Sequence, residues 1–353
     1  MYEHWSIFKI NIKMKNIIVT GGAGFIGSNF IKYILNNYNY KIFNYDKLTY
    51  AGNLENLNDI EDKPNYKFIL GDICDRELVD STIKKYNIDT IINFAAESHV
   101  DRSILGSREF IITNVLGTQV LLDAVKNLGL EKYLQVSTDE VYGSLPEDRK
   151  ELLFTEKTPI TTNSPYSASK ASADLLCNSY FHTHKLPVLI TRCSNNYGPY
   201  QFPEKLIPLM IAKALDGEKL PVYGDGKNVR DWLFVEDHCS AICEVLLHGK
   251  TGEVYNIGGN NEWYNIDIVK LILKILGKGE DQITYVKDRP GHDRRYAIDS
   301  TKIMTQLGWK PKYQFDNGIE KTIKWYVENE PWWRKVMSGE YLKYYENNYK
   351  NKM

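Results

Sequence analysis

Tyr166 and Lys170, in the run Tyr166-Ser-Ala-Ser-Lys170, are spaced so that a helix would carry a phenol and an ammonium one turn apart on the same face. A phenol beside a cation is easier to ionise, and it can take the proton of a hydroxyl while hydride leaves the same carbon. Taken alone, the pair also fits a solvated helix face. A second group, Ser137-Thr-Asp-Glu-Val-Tyr-Gly143, offers the hydroxyl of Thr138 and the adjacent carboxyls of Asp139 and Glu140. Two carboxyls pushed to different protonation states can act as acid and base in one reaction, and the loss of water beside a carbonyl needs both. An acidic turn facing solvent is the other reading. The third group is Thr20-Gly-Gly-Ala-Gly-Phe-Ile-Gly27, which spaces Gly21, Gly24 and Gly27 as Gly-x-x-Gly-x-x-Gly. Glycine there permits a tight turn, the close approach of a pyrophosphate, and packing of the next helix on its strand, while that helix's N-terminus faces the anion. Asp46 stands roughly 20 residues beyond the turn, where a carboxylate accepts from adenosine ribose hydroxyls and repels a 2′-phosphate, so the expected cofactor is NAD and not NADP. Asp72, in Gly-Asp-Ile-Cys-Asp, is expected at the adenine or at a helix N-cap.

These residues need a scaffold, and the pattern around them supplies one. Short apolar runs alternate with amphipathic stretches through the first half, as in a parallel sheet covered by helices on both faces. Strands are expected over 16–20, 41–45, 66–70, 90–94, 133–137 and 188–192, and helices over 25–36, 76–86, 107–128 and 166–185. The fold class is therefore α/β, a doubly wound Rossmann sheet with a smaller C-terminal substrate-binding lobe. We divide the chain into an N-terminal extension (1–14), an NAD-binding Rossmann domain (15–193), a mainly substrate-binding lobe that can return strands to the main sheet (194–330) and a C-terminal tail (331–353). The two long helices over 107–128 and 166–185 offer a face to a second copy, so a homodimer is expected.

Composition narrows the partners. Lys plus Arg total 44 against 45 for Asp plus Glu, which excludes the global basic field of a nucleic-acid or anionic-membrane binder. No apolar run approaches the ~20 residues of a membrane span, and the first residues lack the apolar core of a signal peptide. The five cysteines are odd in number and without framework spacing, which points to reduced thiols and a cytoplasmic setting. Cys239 and Cys243 beside His238 have one ingredient of a metal site, yet their stretch reads as a buried helix in which cysteine is a small hydrophobe, and no metal is expected.

The glycine-rich turn, Asp46, the Ser-Thr strand end and the Tyr-x-x-x-Lys pair together resemble the extended short-chain dehydrogenase/reductase family from about Lys15 to about Trp325. Four further blocks resemble the nucleoside-diphosphate-sugar 4,6-dehydratases, above all those acting on dTDP-glucose, with UDP-glucose the alternative substrate: Phe94-Ala-Ala-Glu-Ser-His-Val-Asp-Arg-Ser-Ile104, Ser194-Asn-Asn-Tyr-Gly-Pro-Tyr-Gln-Phe-Pro-Glu-Lys-Leu-Ile-Pro208, Arg230-Asp-Trp-Leu-Phe-Val-Glu-Asp-His238 and Asp288-Arg-Pro-Gly-His-Asp-Arg-Arg-Tyr296. That resemblance implies that Thr138 bonds the sugar 4-hydroxyl, Asp139 is the general acid, Glu140 the base at C5 and Tyr166 the base at the 4-hydroxyl, with Lys170 orienting the nicotinamide ribose. It places Phe25, Ile26, Asp46, Lys47, Thr49, Asp72, Ile73, Ala95, Ala96, Thr113 and Asn196 around NAD. It places Ser98, Asn195, Lys205, Leu206, Pro221, Tyr223, Arg230, Asn265 and Arg289 around the nucleotide-sugar substrate, the two arginines as forks for a diphosphate. The rival expectations are an epimerase or decarboxylase on the same scaffold, against which Asp139 speaks, and a silent NAD-bound scaffold, against which the Tyr166 and Lys170 pair speaks.

Overall fold

The computed structural model describes residues 14–288 and 291–339. Seven strands form one parallel sheet in the order β10-β6-β5-β4-β1-β2-β3: β1 (Asn16–Thr20), β2 (Lys41–Asp46), β3 (Tyr66–Leu70), β4 (Thr90–Asn93), β5 (Lys132–Thr138), β6 (Val188–Cys193) and β10 (Val254–Ile257). Residues of β1 alternate between two apolar layers, the signature of a strand buried on both faces. Ile17 and Val19 pack with Phe30 and Ile34 of the Phe25–Asn37 helix and with Cys239 and Ile242 of the Val235–His248 helix. Ile18 faces the other way, onto Val79, Leu121 and Cys177 of the helices Arg76–Tyr86, Thr118–Leu128 and Pro165–His184. Each such buried Ile or Val stabilises the fold by about 1.5–3 kcal/mol. Cys239 and Cys243 are therefore core residues, and no cluster of metal-ligating side chains occurs among the described residues.

The lobe is built on β7 (Asn195–Tyr197), β8 (Leu220–Tyr223), β9 (Val229–Phe234), β11 (Glu262–Tyr264) and β12 (Ile283–Val286), in sheets ordered β11-β9-β7 and β12-β8. Its own core gathers Tyr197, Met210, Trp232, Phe315, Tyr326 and Trp333. Residues set down in the sequence reading as a tail form instead a helix, Glu330–Ser338, anchored by the fully buried Trp333. The expected single helix over 107–128 is a continuous helical run with a π-helical stretch, Ile111–Gly117, ahead of Thr118–Leu128. The cap of the Arg76–Tyr86 helix is Asp75, whose carboxylate accepts from Leu78 N–H at 3.0 Å, and not Asp72. No helix among the described residues is long and apolar enough to cross a membrane.

Candidate active site

Strand order reverses at β1, which lies between β4 and β2, and the crevice beyond the carboxyl ends of these strands is where a doubly wound sheet binds ligands. A cavity of ≈ 400 Å³ opens there. Its walls hold Gly21, Gly24, Phe25, Ile26, Gly27, Asp46, Lys47, Thr49, Asp72, Ile73, Ala95, Ala96, Thr113 and Asn196, and also Thr138, Asp139, Glu140, Tyr166, Lys170, Ser98, Asn195 and Lys205.

The glycines divide their duties. Gly21 has φ +65 and a Cβ on it would meet Ala95 N at 2.6 Å, so it serves the turn and the neighbouring strand. On Gly27 a Cβ would strike Gly21 O at 2.3 Å, which reserves that position for helix packing. Gly24 is different: a Cβ there meets only Gly21 O, at 3.3 Å, so protein packing leaves the cleft side of this N-cap open to a close ligand. Asp46 accepts from Ala23 N–H at 2.9 Å and Leu48 N–H at 2.8 Å. A carboxylate has about four acceptor sites, so two remain for ribose hydroxyls. Burial raises its pKa and the two backbone N–H groups pull it back down. Asp72 accepts from Cys74 N–H and pairs with Lys47 at 2.7 Å, which fixes both side chains at the cleft rim. These features fit an adenosine diphosphate moiety.

The Tyr166 helix begins with a capping box: Ser164 accepts from Ser167 N–H and Ser167 Oγ accepts from Ser164 N–H, both at 3.1 Å, with Pro165 in the first turn. Tyr166 N–H donates to Ser103 Oγ at 3.2 Å, and the phenol is 8% exposed. Burial raises it well above the usual phenol value, and the Glu140 carboxylate pushes in the same direction. Lys170 does not offset this as the spacing led us to expect. Its ammonium, 4% exposed, donates to the Val136 carbonyl at 2.7 Å, and burial lowers its pKa. In this arrangement desolvation of the phenol outweighs any charge that Lys170 contributes.

At the end of β5 Thr138 caps the turn that follows, accepting from Glu140 N–H at 3.3 Å while its hydroxyl donates to Asp139 Oδ1 at 3.3 Å. Asp139 is 1% exposed, and its Oδ2 has no hydrogen-bond partner among the described residues. Burial, then Glu140, then Asp231 raise its pKa well above the carboxylate range, and Arg230 opposes them. Burial of this kind favours the protonated form of the Asp139 carboxyl, and Glu140 next to it is only half-buried, so the two adjacent carboxyls sit in different environments.

The structure does not gather every expected residue. Leu206, Pro221, Tyr223, Arg230 and Asn265 do not line this cavity, and Arg289 lies outside the described residues. Several collect around the Gly291–Tyr296 stretch of the lobe. Arg230 donates to the Val229 and Asp293 carbonyls at 2.7 and 2.9 Å and stacks over Tyr296 at 4.2 Å, while Tyr223 contacts His292 edge-on. Asn265 N–H donates to the Asn228 carbonyl, and Asn228 in turn donates to the Asp293 carbonyl. Arg294 N–H of this stretch donates to Ser144 Oγ at 3.0 Å, just beyond the Asp139 turn, so the second group borders the first.

The family described as GDP-mannose 4,6 dehydratase matches residues 18–322. The chain is 54% identical over 346 residues to the dTDP-glucose 4,6-dehydratase of Xanthomonas campestris pv. campestris (strain B100), covering 93% of this chain and 97% of that one. The chain belongs to the dTDP-glucose 4,6-dehydratase family. Among solved structures it is similar to the family's crystal structure from Bacillus anthracis in complex with NAD, with TM-score 0.86, 55% identity and coverage of 91% of this chain and 99% of that one. It is also similar to the Streptomyces venezuelae dTDP-glucose 4,6-dehydratase with NAD and TYD bound, with TM-score 0.88, 46% identity and the same coverage.

Three supports of this 4,6-dehydratase-family site escaped the sequence reading. Asn114, in the π-helical stretch, accepts from Glu97 N–H and donates to Glu97 O and Ser169 Oγ, clamping the 95–98 loop to the Tyr166 helix. Tyr142 bonds Arg192 and Asn256, and Arg192 pairs with the buried Asp174 at 2.8 Å, so the Asp139 turn is tied to β6 and β10. Trp332 and Val336, from the helix expected as a tail, line the cleft. The nearest sequence signal for them was the aromatic density of 325–333, which by itself says only that a core is present.

Proposed function

We propose that this protein converts dTDP-glucose to dTDP-4-keto-6-deoxyglucose and water. The observation that carries this reading is the buried Asp139 carboxyl beside Glu140 in one cleft with Tyr166. An epimerase needs a base at one hydroxyl, but not an acid and a base for removing water. NAD, when bound, accepts hydride from C4 of the sugar and returns it at C6, so the cofactor is restored within each turnover. Phe25, Ile26, Asp46, Asp72 and the Gly21–Gly27 turn would hold its adenosine diphosphate half, and Lys170, Thr113 and Asn196 its nicotinamide half. Tyr166 takes the proton of the sugar 4-hydroxyl, to which Thr138 offers its hydroxyl. Glu140 removes the C5 proton, made acidic by the neighbouring ketone, and Asp139 delivers a proton to the departing C6 hydroxyl; as hydride returns to C6 Glu140 gives its proton back to C5, and the proton taken from the 4-hydroxyl makes good the one Asp139 lost. In this reading residues 15–193 hold NAD and 194–330 mainly hold the nucleotide-sugar, Arg230 and Arg289 gripping the diphosphate. The test is incubation with dTDP-glucose and, side by side, UDP-glucose, followed by absorbance after alkali. A 4-keto-6-deoxy product gives a chromophore, and an unchanged or epimerised sugar gives none. Comparable kcat/KM for both nucleotides would widen the substrate assignment, since contact with one methyl is worth only about 1–3 kcal/mol.

Asp46→Ala should weaken NAD binding, because the ribose hydroxyls lose a charged acceptor worth about 1.5–3 kcal/mol. It should also relax the preference against NADP. Titration of both cofactors measures this, and unchanged affinities would place the ribose elsewhere. We also assign the protein a homodimer formed through the helices around 107–128 and 166–185. Leu175 is 56% exposed, Ile111 49% and Leu116 47%, and Leu105, at the end of the preceding Val100–Leu105 helix, 90%, apolar surface for which a second copy is a fitting cover. Sedimentation at micromolar concentration should give twice the 40.9 kDa chain mass. A monomer would reject the assignment. The five cysteines are all unpaired, which suits a reducing, cytoplasmic compartment.

A further inference from the structure

We propose that the C-terminal helix Glu330–Ser338 is a latch that retains NAD, with Trp332 as its positioning residue acting through Asn56 on the glycine-rich turn. The inference rests on the reading that the cleft holds NAD. The helix is fastened to the lobe by one side and to the cofactor half by another. On the lobe side Trp333 is fully buried and its indole N–H donates to the Tyr326 carbonyl at 2.9 Å, while Arg334 pairs with Asp216 at 2.6 Å. Residues 332, 335 and 336 share a neighbouring face by helical spacing. From that face Trp332 Nε1 donates to Asn56 Oδ1 at 2.9 Å, Lys335 pairs with Glu55 at 3.1 Å, and Val336, 3% exposed, lines the cleft.

Asn56 is itself 2% exposed, and its amide donates to the Ala23 carbonyl at 3.0 Å, while Ala23 N–H donates to Asp46. A chain of hydrogen bonds thus runs from the last described helix through Asn56 to the backbone of the glycine-rich turn and on to the carboxylate placed for the ribose. The ring of Trp332 also stacks edge-on against Tyr200, another wall of the cleft, and Lys32 on the helix after the glycine-rich turn donates to the Tyr200 hydroxyl at 2.8 Å. One tie reaches the turn through Asn56 and the other its helix through Tyr200. An enzyme that regenerates its cofactor in each cycle gains nothing from releasing it between turnovers, and this helix closes the adenosine side of the cleft against such release.

The test compares Trp332→Phe with Trp333→Phe in the full-length protein. Each deletes one indole hydrogen bond and keeps an aromatic ring, so a merely structural role for the helix predicts the same cofactor release from both. The proteins are loaded with NAD or, separately, with ADP-ribose, and loss of the bound ligand after dilution into a scavenging enzyme is followed over time. Trp332→Phe leaves the buried Asn56 Oδ1 without its donor and should speed release of both ligands about tenfold. Trp333→Phe should release them within about twofold of the unaltered protein. Equal release from Trp332→Phe and the unaltered protein, or equal acceleration by both variants, would overturn the latch while leaving the NAD reading in place. Acceleration for NAD but not ADP-ribose would also overturn it, because the tie acts on the adenosine side. Failure of the unaltered protein to bind either ligand would overturn the NAD reading and the latch together.

Discussion

Tyr166→Phe should remove the initial oxidation, lowering single-turnover formation of the reduced nicotinamide band by about 10²–10⁴-fold while the protein still folds and binds NAD. The ring stays in its place against Phe110, 6.3 Å between centroids, and the backbone N–H of residue 166 still donates to Ser103. What is lost is the phenolic oxygen that takes the 4-hydroxyl proton as hydride departs. The buried phenol is held well above its ordinary pKa by desolvation and by Glu140, so at neutral pH it starts in its protonated form. In the proposed reading proton transfer is coupled to cofactor binding, because a cationic nicotinamide beside the same oxygen would favour the phenolate. Stopped-flow absorbance in a single turnover measures the effect. If Tyr166→Phe reaches the reduced state at the unaltered rate, another group takes the proton, and Thr138 would be the first to examine.

The contrast between Tyr166 and the residues around it shows which parts of this site the sequence could disclose. The glycine spacing, Asp46 at the end of β2, and Tyr166 with Lys170 were legible because each is a local pattern: a turn, a strand end, a helix face. Local spacing also placed most of the strands of the main sheet, since Ile17–Val19 of β1 and Val188–Ile190 of β6 are short apolar runs, as strands covered on both faces require. The environment that decides what Tyr166 does was not legible. Its ionisation depends on burial and on Glu140, whereas the sequence reading weighed only the adjacent Lys170, whose ammonium is directed to the Val136 carbonyl. Asn114, Tyr142 with Arg192 and Asp174, and Asn56 with Trp332 were missed for a similar reason. Every one of these contacts joins residues far apart in the chain, and no periodicity records such a pairing. Asp72 and Asp75 illustrate a finer limit: both are Asp ahead of the same helix, and only the register of the first turn gave the cap to Asp75.

Asp139→Asn should leave the oxidation competent and block the loss of water, so that the reduced nicotinamide band persists while dehydrated product forms about 10²–10⁴-fold more slowly. Asparagine preserves the size of the side chain and its place on the Thr138 cap, but an amide cannot hand over a proton to a departing hydroxyl. The native carboxyl can, and its burial, with Glu140 and Asp231 nearby, raises its pKa and so favours the protonated form. The sign of the pH dependence follows. An acid with a raised pKa is active below that pKa, so the elimination step should slow as pH rises through it and should recover as pH is lowered. The Asp139→Asn variant should lack this alkaline limb. Glu140→Gln should differ from both, because it removes the base at C5 and leaves the acid in place. In heavy water its exchange of the C5 hydrogen should slow together with elimination, whereas in Asp139→Asn exchange at C5 should continue while water loss is blocked. Mass analysis of the sugar recovered from heavy water, run beside the stopped-flow trace, distinguishes the two. Turnover of Asp139→Asn at the normal rate, or C5 exchange in Glu140→Gln as fast as in the unaltered protein, would show that the acid and the base have been assigned to the wrong carboxyls.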